Sequence, residues 1–483
     1  MEKIMNYVVR GYEPARVFEI FEDLCAIPHG SGNEKGIADY IEKFATERGL
    51  FVLRDETGNV FVRKGATAGF ENTEAIMLQG HMDMVCEKNA DSKHDFLRDG
   101  LTLKVVDGML WADGTTLGAD NGIAVAMMLA LLETDAHPTL ECLFTVEEET
   151  GLAGAKGFDC SCVSAKKMIN LDSEEDWQIT AGCAGGCRTE VDLAYNAENI
   201  PPEYTCIDIS VTGLSGGHSG AEIHCGKTNA IIAMGRLLAA VYEKNSFNAV
   251  SLTCNGKDNA IARECFAKIA TKDAETVINT ILSEAERIRT ELSAEDAGFA
   301  VSAKVAVGAD KMLNECTTRS LVTFLSTVKT GVLKMSNQIK GLVEYSRNIG
   351  VVETDDEKIK LTLSSRSSIE AQLDLSCREL DMLCRAIGAE CHHYARYPGW
   401  EYAPVSPLRE SYISAFRELY GKELSVGVIH AGLECGILSS KMSGMDIISI
   451  GPNMYDIHSP NEHLELASCE RVWRTLLKII TTK

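Results

Sequence analysis

Apolar residues along the chain follow two spacings, a helical one and an alternating one, and the switches between them lay out an α/β order. From Glu13 to Leu50 the spacing is helical, broken by the turn-rich Pro28-His-Gly-Ser-Gly-Asn33 and resumed in a second amphipathic helix through Phe44. Short strand-like stretches follow at Leu50 to Val62, Ala75 to Leu78, Glu141 to Thr145 and Lys167 to Asn170. They alternate with helical stretches such as Gly122 to Glu133, as expected of a mixed sheet flanked by helices. The apolar run from Ile123 to Leu132 falls well short of the roughly 20 residues that cross a bilayer, so it reads as a buried helix.

After Gly186 the texture changes. Strand-like Tyr204 to Thr212 leads into a Gly/Ser-rich turn, a long helix around Asn229 to Tyr242, and a charged helix from Ala274 to Leu292. A second cycle follows, with strand-like Phe299 to Val307, a helix near Thr330 to Glu344 and strand-like Leu361 to Ser364. At 483 residues the chain exceeds one ordinary core. The expected organisation is a catalytic domain in two parts, 1–186 and 397–483, interrupted by an inserted α+β lid domain at 187–396. The last part returns to α/β texture through a helix over Tyr412 to Tyr420 and strand-like Asp446 to Ile450.

Charge narrows the partners. Forty-seven basic residues against 70 acidic ones leave a formal charge of −23, which repels phosphate backbones and anionic lipid; neither nucleic acid nor a membrane is an expected partner. The amino-terminal residues lack the apolar stretch of a secretory signal, so a cytoplasmic location is expected. Seventeen cysteines without CxxC spacing read as reduced small hydrophobes. Cys160-Ser-Cys162 and Cys183 to Cys187 offer sulfur but no four-ligand spacing, and His392-His393 reads as surface structure.

Five short stretches carry candidate chemistry. Met77 to Met84 is an apolar strand ending in His81, with Asp83 two residues on, where imidazole can bind a metal and the carboxylate can orient it. Asp120 in Leu117 to Gly122 sits before the apolar helix, where it can cap or can bridge two cations. Glu147-Glu148-Glu149 follows an apolar strand, so the three charges need a neutralising cation. Asp172 lies in Ile169 to Glu174, and His458 follows the Gly-Pro turn in Ile450 to Pro460. Each stretch alone is a generic loop. Together they supply a histidine and carboxylate set suited to a pair of zinc, cobalt or manganese ions.

The ordered set QGHMDMVCEK, GADNGIAVAMMLALLE, EEETGLAGA, NLDSEE with GCAGG, GLSGGHSGAEIH, HAGLECG and HSPNEHL resembles the bacterial aminoacyl-histidine dipeptidases (peptidase D, or cytosol non-specific dipeptidase) of the di-zinc aminoacylase and carboxypeptidase clan. The resemblance implies that His81, Asp120, Glu149, Asp172 and His458 hold two divalent ions, with Asp120 bridging. It implies that Asp83 orients His81 and that Glu148 is the general base, the register being set by Gly151. A metal-bridging hydroxide would attack the amide carbonyl, His218 in GGHSGAEIH would stabilise the oxyanion, and Arg366 in LSSRSSIE would grip the substrate carboxylate. Asn259, His430 and Glu434 are further candidates for substrate contact.

The expected activity is hydrolysis of Xaa-His and other small dipeptides, β-alanyl ones included. A tripeptidase, carboxypeptidase or N-acyl amino acid hydrolase would share the metal ligands and differ in the lid, while a non-catalytic metal-binding protein has no use for a free Glu148. A homodimer is compatible with the sequence but not specified by it.

Overall fold

In the computed structural model, residues 7–482 are described, and the chain separates into two compact units. One takes Met1–Cys183, Trp400–Val428 and Leu433–Lys483; the other takes Ala184–Gly399 and the short return Ile429–Gly432.

The first unit is built on an eight-stranded mixed sheet. Its order is Phe51–Arg54, Val60–Lys64, Leu140–Thr145, Ile76–His81, Lys167–Asn170, Asp446–Ser449, Gln178–Cys183 and Ser425–Ile429. The central strands Leu140–Thr145, Ile76–His81, Lys167–Asn170 and Asp446–Ser449 run parallel, and the first two are buried at every position. Burial on both faces explains why these stretches are continuously apolar rather than alternating. The helix Ala119–Leu131, buried along nearly its whole length, packs on this sheet with Ala15–Cys25 against it.

The stretch from Leu50 to Val62 is two strands rather than one. Gly58 adopts a φ of +110°, and the Asp55 carboxylate accepts hydrogen bonds from the amides of Gly58 and Asn59, so the chain reverses between Arg54 and Val60.

The second unit is α+β. A five-stranded antiparallel sheet runs in the order Gly331–Met335, Val343–Thr354, Lys358–Ser367, Gly185–Ala194 and Glu390–Tyr397, and a four-stranded one holds Phe247–Thr253, Cys265–Thr271, Thr205–Thr212 and Ala300–Val305. The helices Ala230–Tyr242, Ala274–Arg289, Glu315–Thr327 and Glu370–Ile387 share one apolar core with these sheets. The helix expected near Thr330 to Glu344 does not form. That stretch is a pair of antiparallel strands, and Gly331 and Gly341 take φ of +83° and +84°, which a helix interior does not hold. The helix lies earlier, at Glu315–Thr327, where the Asn314 side chain caps the Thr317 amide.

Candidate active site

Five loops of the first unit converge on His81. This residue ends a buried central strand and is itself 1% exposed, so its ring has no solvent to satisfy it. Its Nδ1 lies 3.0 Å from the Asp83 carbonyl oxygen and 3.3 Å from the Asp83 carboxylate. Those acceptors claim the Nδ1 proton and leave Nε2 as the free donor atom. Nε2 lies 3.2 Å from Asp120 Oδ1 and 3.4 Å from Asp172 Oδ1.

The second histidine completes a symmetrical arrangement. His458 Nε2 is 3.2 Å from the other Asp120 oxygen, Oδ2, and 2.9 Å from Glu149 Oε1. Asp120 therefore presents one oxygen to each imidazole, and two groups of three donors, His81/Asp120/Asp172 and Asp120/Glu149/His458, each converge within 4.8 Å. The His81 side is sealed, with Asp172 8% exposed, whereas His458 is 46% exposed, so the cluster opens on the His458 side. His458 also has a φ of +60°, a left-handed backbone uncommon outside glycine, which turns its ring back toward Asp120.

The electrostatics call for cations. Burial alone would lower His81, yet Asp172, Asp120 and Asp83 overcome it and raise the imidazole well above its ordinary value. Hydrogen bonds to Asp120 and Glu149 lift His458 to about 10. Both histidines gain positive charge because four carboxylates, Asp83, Asp120, Glu149 and Asp172, face them, and a pair of divalent ions satisfies the same demand with oxygen and nitrogen donors. The donor set thus fits two such ions.

Glu148 faces His81 and Glu149 in a further three-donor group. Loss of hydration pushes its carboxyl well above the usual range, with Asp172, Glu434 and Glu149 adding to the shift and His81 opposing it. The Asp83 carboxylate, which bonds the Ser31 hydroxyl, accepts the amides of Glu148 and Glu149 at 3.0 and 3.2 Å, so one residue orients His81 and holds the Glu148 loop.

Two close approaches join these loops. A methyl group on Gly80 would sit 2.5 Å from Asn121 Oδ1, the atom that accepts the His81 amide, and one on Gly451 would sit 1.6 Å from the Ser173 carbonyl oxygen. Both glycines permit backbone contact that any side chain would block.

Glu462 is the residue that sequence reasoning left without a role. It is 2% exposed and accepts hydrogen bonds from the amides of Leu117, Gly118, Ala119 and Asp120, at 2.7 to 3.3 Å. These are the unpaired donors at the start of the Ala119–Leu131 helix, and Glu462 fixes the turn that presents Asp120. Its signal lay in HSPNEHL, four residues after His458.

Glu434 is fully buried in the same unit, its Oε2 held by Gln79 at 2.5 Å and Thr145 at 2.6 Å, and burial pushes it up to about 7.

The remaining candidates lie in the second unit and are brought together there. His218 Nδ1 accepts the amides of Gly220 and Ala221, at 3.3 and 3.0 Å, which leaves the ring proton on Nε2 as a donor. Burial and then the Arg366 charge hold His218 below its ordinary value, favouring the neutral ring. Asn259 accepts the Ser219 amide through its carbonyl and precedes Ala260, which pairs with His218. His430 Nε2 lies 2.7 Å from the Ser346 hydroxyl, and lost hydration followed by the charges of Arg366, His224 and His218 holds it at about 3. Arg366 bonds the Tyr397 hydroxyl at 3.2 Å, while its buried Nε lacks a partner among the described residues.

Residues 77–482 match the model of peptidase family M20/M25/M40. The chain is 36% identical over 471 residues to the cytosol non-specific dipeptidase of Escherichia coli (strain K12), covering 97% of each chain. It is similar to the crystal structure of aminoacylhistidine dipeptidase from Vibrio alginolyticus, with a TM-score of 0.92, 32% identity and full coverage of both chains. The aminopeptidase PepT structure from Bacillus cereus ATCC 10987, at TM-score 0.58 and 16% identity over 97% of this chain and 98% of its own, shares the fold. With the family model spanning most of the chain and a curated relative matched nearly end to end, the chain belongs to peptidase family M20/M25/M40.

Proposed function

We propose that the protein is a cytoplasmic, metal-dependent dipeptidase that hydrolyses Xaa-His and other small dipeptides, with residues 187–396 acting as its lid. The observation that carries this reading is Asp120, whose two oxygens reach His81 on one side and His458 on the other within paired three-donor groups. Two relatives matched over nearly the whole chain bear dipeptidase names, which supports the substrate class. No helix among the described residues is long and apolar enough to cross a membrane.

His81, Asp120 and Asp172 would hold one ion and Asp120, Glu149 and His458 the other, with zinc the first choice and cobalt or manganese as alternatives. Two divalent ions held there would supply Lewis acidity, lowering the pKa of a water and polarising the scissile carbonyl. Glu148, made a better proton acceptor by its enclosure, takes a proton from the attacking water and returns it to the leaving amine. Asp83 keeps the His81 ring and the Glu148 loop in register during this transfer. His218 donates its Nε2 proton to the oxyanion, since its Nδ1 is already an acceptor. Arg366 takes the substrate carboxylate, for which its unpaired Nε is suited.

The test is a substrate panel with metal analysis. Purified protein should carry two divalent ions, cleave β-alanyl-histidine and other Xaa-His dipeptides, and lose activity to a chelator. Faster turnover of N-acyl amino acids or tripeptides than of any dipeptide would overturn the specificity, and full activity without metal would overturn the chemistry.

A further inference from the structure

A second group of metal-ligating side chains lies in the second unit, away from every residue used above. The helix Glu370–Ile387 packs on the strands Gly185–Ala194 and Glu390–Tyr397. It carries Cys377, Asp381 and Cys384 at steps of four and three residues, which place them on one face. The first strand supplies Cys187 and Thr189, and the second supplies Cys391 and His393, again two residues apart and so on one face of the sheet. His393 pairs across the ladder with Thr189, and Cys391 with Val191, which brings all of these side chains under the helix.

The distances define the cluster. Cys187 Sγ and Cys377 Sγ are 3.8 Å apart, and both lie within 4.8 Å of a ring nitrogen of His393. The imidazole is oriented from both ends: Nε2 is 3.2 Å from Asp381 Oδ1, and Nδ1 is 2.9 Å from the Thr189 hydroxyl. Cys391 Sγ stands 3.8 Å from Nε2. None of these cysteines is in a disulfide. Cys187 is buried, whereas Cys377 and His393 are partly exposed, so the cluster is enclosed on the sheet side and reachable from outside.

Two thiols and an imidazole from three separate elements are the donors of a thiophilic cation. Zn–S bonds of about 2.3 Å at a tetrahedral angle place two sulfur ligands about 3.8 Å apart. The observed separation equals that edge. A disulfide would require the same two atoms at about 2.05 Å. Asp381 on Nε2 is a carboxylate that fixes the plane of the His393 ring, as carboxylates beside metal-binding histidines do.

We propose that Cys187, Cys377 and His393 form a second metal site that takes a thiophilic cation of the zinc class, with Asp381 as the residue that positions His393. The site is independent of the histidine and carboxylate cluster at Asp120. Adjacent strands keep it apart from the substrate candidates of its own unit as well. Ser365, opposite Cys187, bonds Ser376 on the helix, whereas Arg366 one residue on faces the other way.

Cobalt distinguishes the two clusters, because sulfur ligands produce intense near-ultraviolet charge-transfer absorption and nitrogen and oxygen ligands do not. Chelator-stripped full-length protein, kept reduced with a phosphine, is titrated with Co2+. The expected result is a charge-transfer band whose intensity at saturation corresponds to about one sulfur-ligated cobalt per chain, abolished in the Cys187→Ser/Cys377→Ser variant. The band is expected to persist in Glu149→Ala and in Cys160→Ser/Cys162→Ser, and zinc should displace it. A second measurement needs no variant: Zn2+ should protect the partly exposed Cys377 of the natural chain from alkylation, read by mass spectrometry of its peptide. Absence of the band at saturating cobalt, its persistence in Cys187→Ser/Cys377→Ser, or unchanged alkylation of Cys377 with zinc would each overturn the proposal.

Discussion

At the scale of single residues, the acidic run Glu147-Glu148-Glu149 separates into different environments. Glu149 faces His458, and Glu148 lies beside His81 without taking part in the Asp120 arrangement. Replacing Glu148 by Gln keeps the shape and removes the proton acceptor. We expect kcat to fall on the order of 10²- to 10⁴-fold, with two ions still bound by elemental analysis. His430 gives a prediction of the opposite kind, about stability. Its folded pKa, about 3, lies below the ordinary histidine value, so the folded chain resists its protonation. The contribution is present in full above the unfolded value of about 6.5 and is lost progressively as pH falls toward 3, at up to about 1.4 kcal/mol per pH unit. Urea denaturation between pH 6.5 and 4.5 should therefore show a steeper loss for the natural chain than for His430→Gln.

At the scale of elements, the Ala119–Leu131 helix shows how a ligand is held by a distant residue. Its first amides have no partner within the helix, and Glu462, from the segment after His458, accepts them. A metal ligand on an unanchored turn would pay the ordering cost each time an ion binds. Glu462→Ala should accordingly weaken metal affinity by about 10- to 100-fold, measured by competition with a chromogenic chelator, with Glu462→Gln recovering part of the loss because it still accepts hydrogen bonds. The stretch Thr330 to Glu344, helical by spacing and a strand pair in the structure, makes the complementary point. Glycines at either end with positive φ and cross-strand pairing decided it, and only the glycines are visible in the sequence.

At the scale of the whole molecule, bound ions and folding are linked. Carboxylates of Asp120, Glu149 and Asp172 repel one another in a cluster that ions neutralise, and the unfolded chain cannot assemble that cluster. Chelation should lower the unfolding free energy reversibly, by about 2.7 kcal/mol per site where free ion stands near one hundred times Kd, and the thermal midpoint with it. Readdition of zinc in calorimetry should restore it.

The sequence by itself determined the α/β order of the first unit, because fully buried central strands and a buried helix must be apolar throughout, and it marked the loops carrying His81, Asp120, Glu148, Glu149, Asp172 and His458. Each of those loops is generic by itself, and only their ordered set reads as a metal site. Tertiary structure alone decided which oxygens meet which rings, since His81 and His458 are brought to opposite sides of Asp120 by strands far apart in the chain. It also decided the role of Glu462 and the placement of His393, partly exposed as a surface residue would be but set beside Cys187 and Cys377. The reason is physical: spacing along a chain specifies a site only when one loop or helix supplies the ligands. Residues 187, 377 and 393 become neighbours only through strand pairing and helix packing.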